Sequence, residues 1–184
     1  HCSVRRQRQM CIRDRRGTYG TAVGYLSPEA KKLVPGIVGF RSNEDIWDMR
    51  SDRMNLPEDA SRFEFTTLHF GALRGLAASI EEMLEIGIER IWEHDLSLSD
   101  MVVELASSRG LEVTSPKDDD QRSAIVSIRP PSEHHSAEIV RRLQDEFGIL
   151  VTDRSGMIRV SPHIDNDHSQ IEFLFTSLDK ILAN

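Results

Sequence analysis

Cysteine is almost missing from this chain of 184 residues: it has two, Cys2 and Cys11, both near the start. A disulfide scaffold and a cysteine-rich metal site are thereby excluded from the rest of the sequence. A reducing, cytoplasmic setting is compatible with that. No run of about 18 apolar residues occurs, so no membrane span is expected. The bulk of the chain also lacks positive charge. Residues 1–16 hold six arginines and one acid, a net of +5, while the whole chain carries −7, which leaves −12 for residues 17–184. So acidic a body speaks against a nucleic-acid surface. No internal repeat is visible.

The first residues stand apart. His1 to Arg15 reads HCSVRRQRQMCIRDR. It has neither helical nor strand period, and no signal-peptide order of charge, apolar core and small residues. The composition changes abruptly at Gly17, so residues 1–16 read as a non-native tail. The alternative is a basic arm for nucleic acid or anionic lipid.

Beyond the tail, GTYGTAVGYLS, residues 17–27, predicts a strand ending near Leu26. Residues 28–62 show no sustained period and predict a long irregular segment with short helical pieces. Segments that long are usually functional or touch a partner. Phe70, Leu73, Leu76, Ala77, Ile80, Met83 and Leu84 recur at helical spacing and predict an apolar core stripe. Gly87 interrupts. Ile88, Ile91, Trp92, Leu96, Val102, Val103 and Ala106 continue to Arg109-Gly110, a helix end. The last third alternates. Ala124–Ile128 predicts a strand, Glu133–Phe147 a helix stopped by Gly148, and Ile149–Thr152 and Met157–Ser161 two strands around the turn Asp153–Gly156. A final helix starts near Asp167 with Gln170 completing a capping box. The order is that of a small α+β layer.

Two segments carry chemistry. MIRVSPHIDN, residues 157–166, sets Arg159 inside a short apolar strand. A guanidinium is permanently charged and its planar fork matches a carboxylate. Arg159 is thus a candidate for orienting a small carboxylic acid, or else an edge-strand side chain snorkelling to solvent. RFEFTTLHFG, residues 62–71, puts Thr66 and Thr67 at a strand-to-helix junction. There a threonine can cap the helix, or lend its hydroxyl to an anion held at the helix N-terminus.

The order GTYG, RFEFTT, LEIGIERIWEH and GMIRVSPHIDND resembles the C-terminal half of a class V aminotransferase-like enzyme, the pyridoxal-phosphate group of fold type I. That group includes cysteine desulfurases, isopenicillin N epimerase-like proteins and kynureninase-like enzymes. The resemblance covers residues 17–184. It implies an α/β architecture: residues 17–94 as the end of a large cofactor-binding domain with its linking helix, and 95–184 as a small α+β domain. In the family's Arg/Phe-Glu-x-Gly-Thr motif the threonine reaches the cofactor phosphate of the partner subunit. That threonine matches Thr67, and Thr66 stands where glycine is usual. The strand arginine of the Arg-x-Ser motif, which pairs with the substrate α-carboxylate, matches Arg159. Asn166 matches the asparagine that opens the last helix, where capping is its expected role. The resemblance therefore implies pyridoxal 5'-phosphate, an amino-acid substrate and a homodimer with composite sites.

The family's lysine that binds the cofactor covalently lies three or four residues before the glycine matching Gly17. Arg13 and Asp14 occupy those positions. Lys31, Lys32, Lys117 and Lys180, the lysines of the chain, do not fit the place, and arginine cannot make the bond. No catalytic residue is therefore assigned, and the chain is expected to be inactive alone, with apolar surface exposed. Desulfurases and selenocysteine lyases carry a cysteine on a loop before the Arg-x-Ser strand. Here a short turn without cysteine stands in that place. Aminotransfer, epimerisation and lyase chemistry stay open, the sulfur-mobilising branch is the alternative, and a non-enzymatic dimerisation module is a third reading. No metal site is assigned. His134-His135 begin a helix, and His163, Asp165, Asp167 and His168 are explained by a Ser-Pro turn and a cap. Glu81, Glu82, Glu85 and Glu89 are a solvated helix face.

Overall fold

The computed structural model describes residues 24–27, 32–50, 52–118 and 120–183. The expected strand over 17–26 lies outside them except at 24–26, where no strand forms. The chain divides into two compact units between Glu82 and Met83.

In the first unit, the described residues between 33 and 62 are irregular as the sequence predicts, and 63–69 add no strand; two short 3-10 turns, Phe40–Ser42 and Ala60–Phe63, interrupt them. Polar contacts hold them together. Ser42 Oγ donates to Glu64 O at 3.1 Å, and Arg41 pairs with the Glu64 carboxylate at 2.9 Å. Asn43 Oδ1 accepts from Asn55 N at 2.9 Å, and Arg62 Nε donates to Pro57 O at 2.7 Å. Gly39 lies so close to the next strip of chain that a Cβ there would sit 2.0 Å from Phe65 O. No strand precedes Thr66 among the described residues, because the 3-10 turn runs to Phe63 and the chain leaves it extended at Glu64. Helix α1, Phe70–Ile86, follows and runs past the division between the units. Its expected apolar stripe is not a core here: Ala72 and Leu76 are buried, while Phe70 and Leu84 are each 63% exposed. Helical periodicity marks a face that asks for cover, and no described residue supplies it at those two positions.

The second unit is an α+β layer. Helix α2, Ile88–Ser108, is followed by strands β1, Glu112–Val113, and β2, Val126–Arg129; then come α3, Ser136–Phe147, β3, Thr152–Arg154, β4, Met157–Val160, and α4, His168–Leu182. The sheet order is β1-β2-β4-β3, and every pair is antiparallel. Helix α2 packs on β1 and β2, α3 on β3 and β4, and α4 against both helices. The core joins Leu98, Val102 and Ala106 of α2, Ile139 and Leu143 of α3, Phe175 and Leu178 of α4, and the strand residues Val126, Ile128, Ile158 and Val160. Alternation along β2 and β4 sends these four strand residues inward. Their neighbours Ser127, Arg129, Met157 and Arg159 therefore face away from the helices.

Helices α1, α2 and α3 each end where a positive-φ glycine lets the chain turn. After α2, Gly110 at φ 71° lets Leu111 N donate to Ala106 O and Gly110 N to Ser107 O, a Schellman closure. After α3, Gly148 at φ 69° plays the same part. Helix α3 starts at Ser136 instead of Glu133, because Pro130-Pro131 first spends its chain on a turn, His134 N donating to Pro131 O. The β3–β4 turn is also tighter than expected. Arg154 pairs directly with Met157, leaving Ser155 at φ 53° and Gly156 at φ 78° as a two-residue turn of the type that suits strand twist. Asp153 and Arg154 are thereby strand, and β3 starts at Thr152. The short strand β1 has no sequence signature and is drawn in by pairing with Arg129 and Ile128.

Phe175 is fully buried, whereas Phe173 on the same helix is half exposed. Phe175→Ala is expected to cost about 3–5 kcal/mol through lost burial and a residual cavity. Phe173→Ala should cost less than half of that. Urea unfolding followed by circular dichroism checks the pair, and equal costs would contradict the packing described.

Candidate functional site

Arg159 lies in the middle of β4 on the sheet face turned away from the helices, with Ser127 and Thr152 opposite it on the two flanking strands. Its cross-strand neighbours on both sides are thus hydroxyl-bearing, and its own strand is held by both edges. Its Nε is buried without a hydrogen-bond partner. Arg129, on the same face, is by contrast paired with Glu112 at 2.7 Å. A guanidinium N–H shut away from water and unpaired is costly, and a carboxylate would satisfy it. A buried Nε suits the snorkelling alternative as well, since there too only the outer N–H groups reach solvent.

Thr66 and Thr67 are exposed and follow the strapped segment Arg62–Phe65 in the first unit. Neither caps α1. That task falls to His69: its Nδ1 accepts from Ala72 N at 3.0 Å, and its carbonyl accepts from Leu73 N at 3.0 Å. The imidazole replaces the expected hydroxyl because it is nearer the first turn. Both threonine hydroxyls consequently stay available beside a helix N-terminus, where anions are favoured. An open cleft of about 660 Å³ elsewhere in this unit is lined by Arg41, Asn43 and Glu64, and includes neither threonine.

A buried pair joins α2 to the turn after β4. Asp95 is 7% exposed, and its Oδ2 lies 2.7 Å from His163 Nδ1. A carboxylate only accepts, so Nδ1 carries the proton. Asp95 Oδ1 and His163 Nε2 are buried without partners. One residue earlier on α2, His94 Nε2 donates to Asn166 O at 2.9 Å. Asn166 closes the turn itself, its Oδ1 accepting from His163 N at 3.0 Å and its Nδ2 donating to Gln170 at 2.9 Å. It does not cap α4. Asp167 does, in the expected capping box with Gln170. The hydroxyl of Ser169 and the N–H of Gln170 hold the Asp167 carboxyl below the usual carboxylate range.

Sequence reasoning named Arg159, Thr66 and Thr67 as candidates and missed Asp95 and its pairing with His163. A signal was present. Asp95 falls on the buried stripe Ile91, Asp95, Leu98, Val102, Ala106, and a carboxylate at such a position needs a buried partner. The stripe read from apolar residues alone was rotated toward Trp92 and Ile88, which are exposed. Among the described residues no group of three or more His, Cys, Asp or Glu could hold a metal ion. No helix among them is long and apolar enough to cross a membrane.

Residues 17–178 match the sequence family described as aminotransferase class-V. A probable cysteine desulfurase of Pyrococcus abyssi is 25% identical over 183 residues, covering 91% of this chain and 44% of its own length. The apo cysteine desulfurase of Thermococcus onnurineus NA1 superposes with a TM-score of 0.69 at 23% identity, over 81% of this chain and 39% of that one. The cystine C-S lyase C-DES, solved with cysteine persulfide, gives 0.72 at 20% identity over 84% and 40%. The chain thus spans less than half the length of the curated relative it matches.

The clash at Gly39 gives a test of how the threonine segment is held. Gly39→Ala must push Phe65 aside, since backbone cannot yield as a side-chain tip does. It is expected to loosen residues 62–67 and speed proteolysis there, while leaving the second unit's unfolding unchanged. Limited proteolysis with mass spectrometry reads both, and an unaltered cleavage pattern would remove the strap.

Proposed function

Since the chain belongs to the aminotransferase class-V family, whose cofactor is pyridoxal 5'-phosphate, we propose that it forms the carboxylate-binding and phosphate-contacting part of an enzyme acting on an amino acid. When bound, the cofactor supplies an electron sink for the substrate's α-carbon. Arg159 binds the α-carboxylate. The observation that carries this is its buried, unpartnered Nε on a face flanked by Ser127 and Thr152. Thr66 and Thr67 donate hydroxyls to phosphate oxygens, which suits their exposure and lack of capping duty. Such a contact reaches the partner subunit's cofactor in a homodimer with composite sites. The domain division follows the same reading, with residues 17–94 ending the large domain and 95–184 forming the small one.

None of the chain's lysines stands where the cofactor is bound covalently, so these 184 residues are inactive alone. The expected result is a visible absorbance band, fixed by borohydride, only in a version extended upstream of Gly17 through such a lysine. No band in either version would sink the reading and favour the non-enzymatic dimerisation module.

The reaction is aminotransfer, epimerisation or lyase chemistry. The tight Ser155–Gly156 turn supports this, since it leaves no loop before β4 for a cysteine. Sulfur transfer is the second reading, supported by the desulfurase names of the relatives. Conversion of cysteine to alanine by the extended protein, with its sulfur recovered as sulfide only when a reducing thiol is added, would favour it; pyruvate, ammonia and sulfide formed together would mark lyase chemistry.

Arg159→Lys loses the bidentate fork. In the extended enzyme it is expected to lower kcat/KM for its amino acid about 10- to 100-fold, equivalent to ~1.5–3 kcal/mol for charge-assisted hydrogen bonds. Unchanged steady-state kinetics would take Arg159 out of the site.

A further inference from the structure

The ladder that holds Arg159 ends almost where Arg159 stands. Thr152, its partner on one side, is the first residue of β3; on the other side Val126, which pairs with Val160, is the first residue of β2. Past Val160 the sheet no longer fixes β4. What holds the strand's end is the turn 161–166, and α2 grips that turn at two places with adjacent residues: His94 on Asn166 O and Asp95 on His163 Nδ1. Between strand and grip lie only Ser161 and the buried, φ-restricted Pro162. The pair itself is a poor device for stability. Its Asp95 Oδ1 and His163 Nε2 are buried with no partner, and apolar side chains would fill such a place at less cost. A directional bond fixes the turn in one place, which greasy packing does less sharply.

We propose that Asp95 and His163 are positioning residues for Arg159, setting the angle at which β4 presents its guanidinium. This rests on the reading of Arg159 as the carboxylate site. Neither residue touches the substrate; they act through the turn.

The test uses the 184-residue chain with isotope-labelled arginine and reads guanidinium Nε–Hε signals by NMR. Arg159→Lys assigns the Arg159 signal by its loss. Arg109, paired with Asp179 at 2.8 Å, and Arg129, paired with Glu112 at 2.7 Å, are internal standards. Asp95→Asn and His163→Ala are expected to displace or broaden the Arg159 signal and leave both standards in place. His163→Asn, which keeps a donor near the Nδ1 position, should restore it. Sodium acetate is then titrated. It should shift the Arg159 signal in the unaltered chain, and Asp95→Asn should lose that shift.

An Arg159 signal unmoved in folded Asp95→Asn overturns the proposal. So does equal displacement of all three arginines, which marks a merely structural pair. Should the variants fail to fold, hydrogen exchange at the His163 and Asn166 amides of the unaltered chain decides. Exchange there as fast as at the exposed Lys117 and Asp118 amides overturns the grip. Acetate that leaves Arg159 unshifted in the unaltered chain counts against the carboxylate reading, while the ligand-free displacement still reads the positioning.

Discussion

Burial of Ile158 and Val160 under the helices of the second unit is the constraint on which the site depends. Side chains alternate along a strand, so the residue between them has to face the other way. Arg159 is that residue. A slip of one position would drive a guanidinium into the core beside Phe175 and turn two branched apolar side chains outward, at a cost of several kcal/mol. The core therefore does more than stabilise. It fixes which side of β4 the charge occupies, and the pairing with Ser127 and Thr152 fixes what stands next to it.

The threonine segment is held on a different principle. Its unit has few buried apolar residues near Thr66 and relies on hydrogen bonds, from Ser42 and Arg41 to the distant Glu64 and locally from Arg62 to Pro57. Part-buried contacts of this kind each contribute modestly to stability. They do restrict the path of the backbone, and the close approach of Gly39 to Phe65 restricts it further. Two candidate anion contacts thus come from two units built differently, one by a packed sheet and one by a laced loop.

Much of the second unit was legible in the sequence because its signals are local. Helix stripes, glycine stops, the Asp167–Gln170 box and the strand around Arg159 each lie within a few residues. What escaped was either long-range or decided by competition. The partners Asp95 and His163 are 68 positions apart, and no spacing rule spans that distance. At α1 the sequence offered threonine hydroxyls as caps, and the neighbouring His69 won the first-turn N–H groups by position. The apolar stripe of α1 was correctly periodic, yet periodicity reports a wish for burial and not the presence of a cover, as exposed Phe70 and Leu84 show.

The β3–β4 hairpin bears on chemistry through length alone. A nucleophilic cysteine that reaches a substrate must be carried on chain long enough to leave the sheet. Arg154 paired directly to Met157 leaves two residues, both at positive φ, and neither is a cysteine. A turn of this type is specified by its own strands' twist, so lengthening it would reshape the register that places Arg159. The relatives' desulfurase names and this hairpin pull in opposite directions. Names follow overall similarity, which the shared core supplies; reaction type follows the few atoms near the α-carbon. On that ground the hairpin supports the proposed aminotransfer, epimerisation or lyase reading, and each of those branches would use the proposed role of Arg159, holding the substrate's carboxylate.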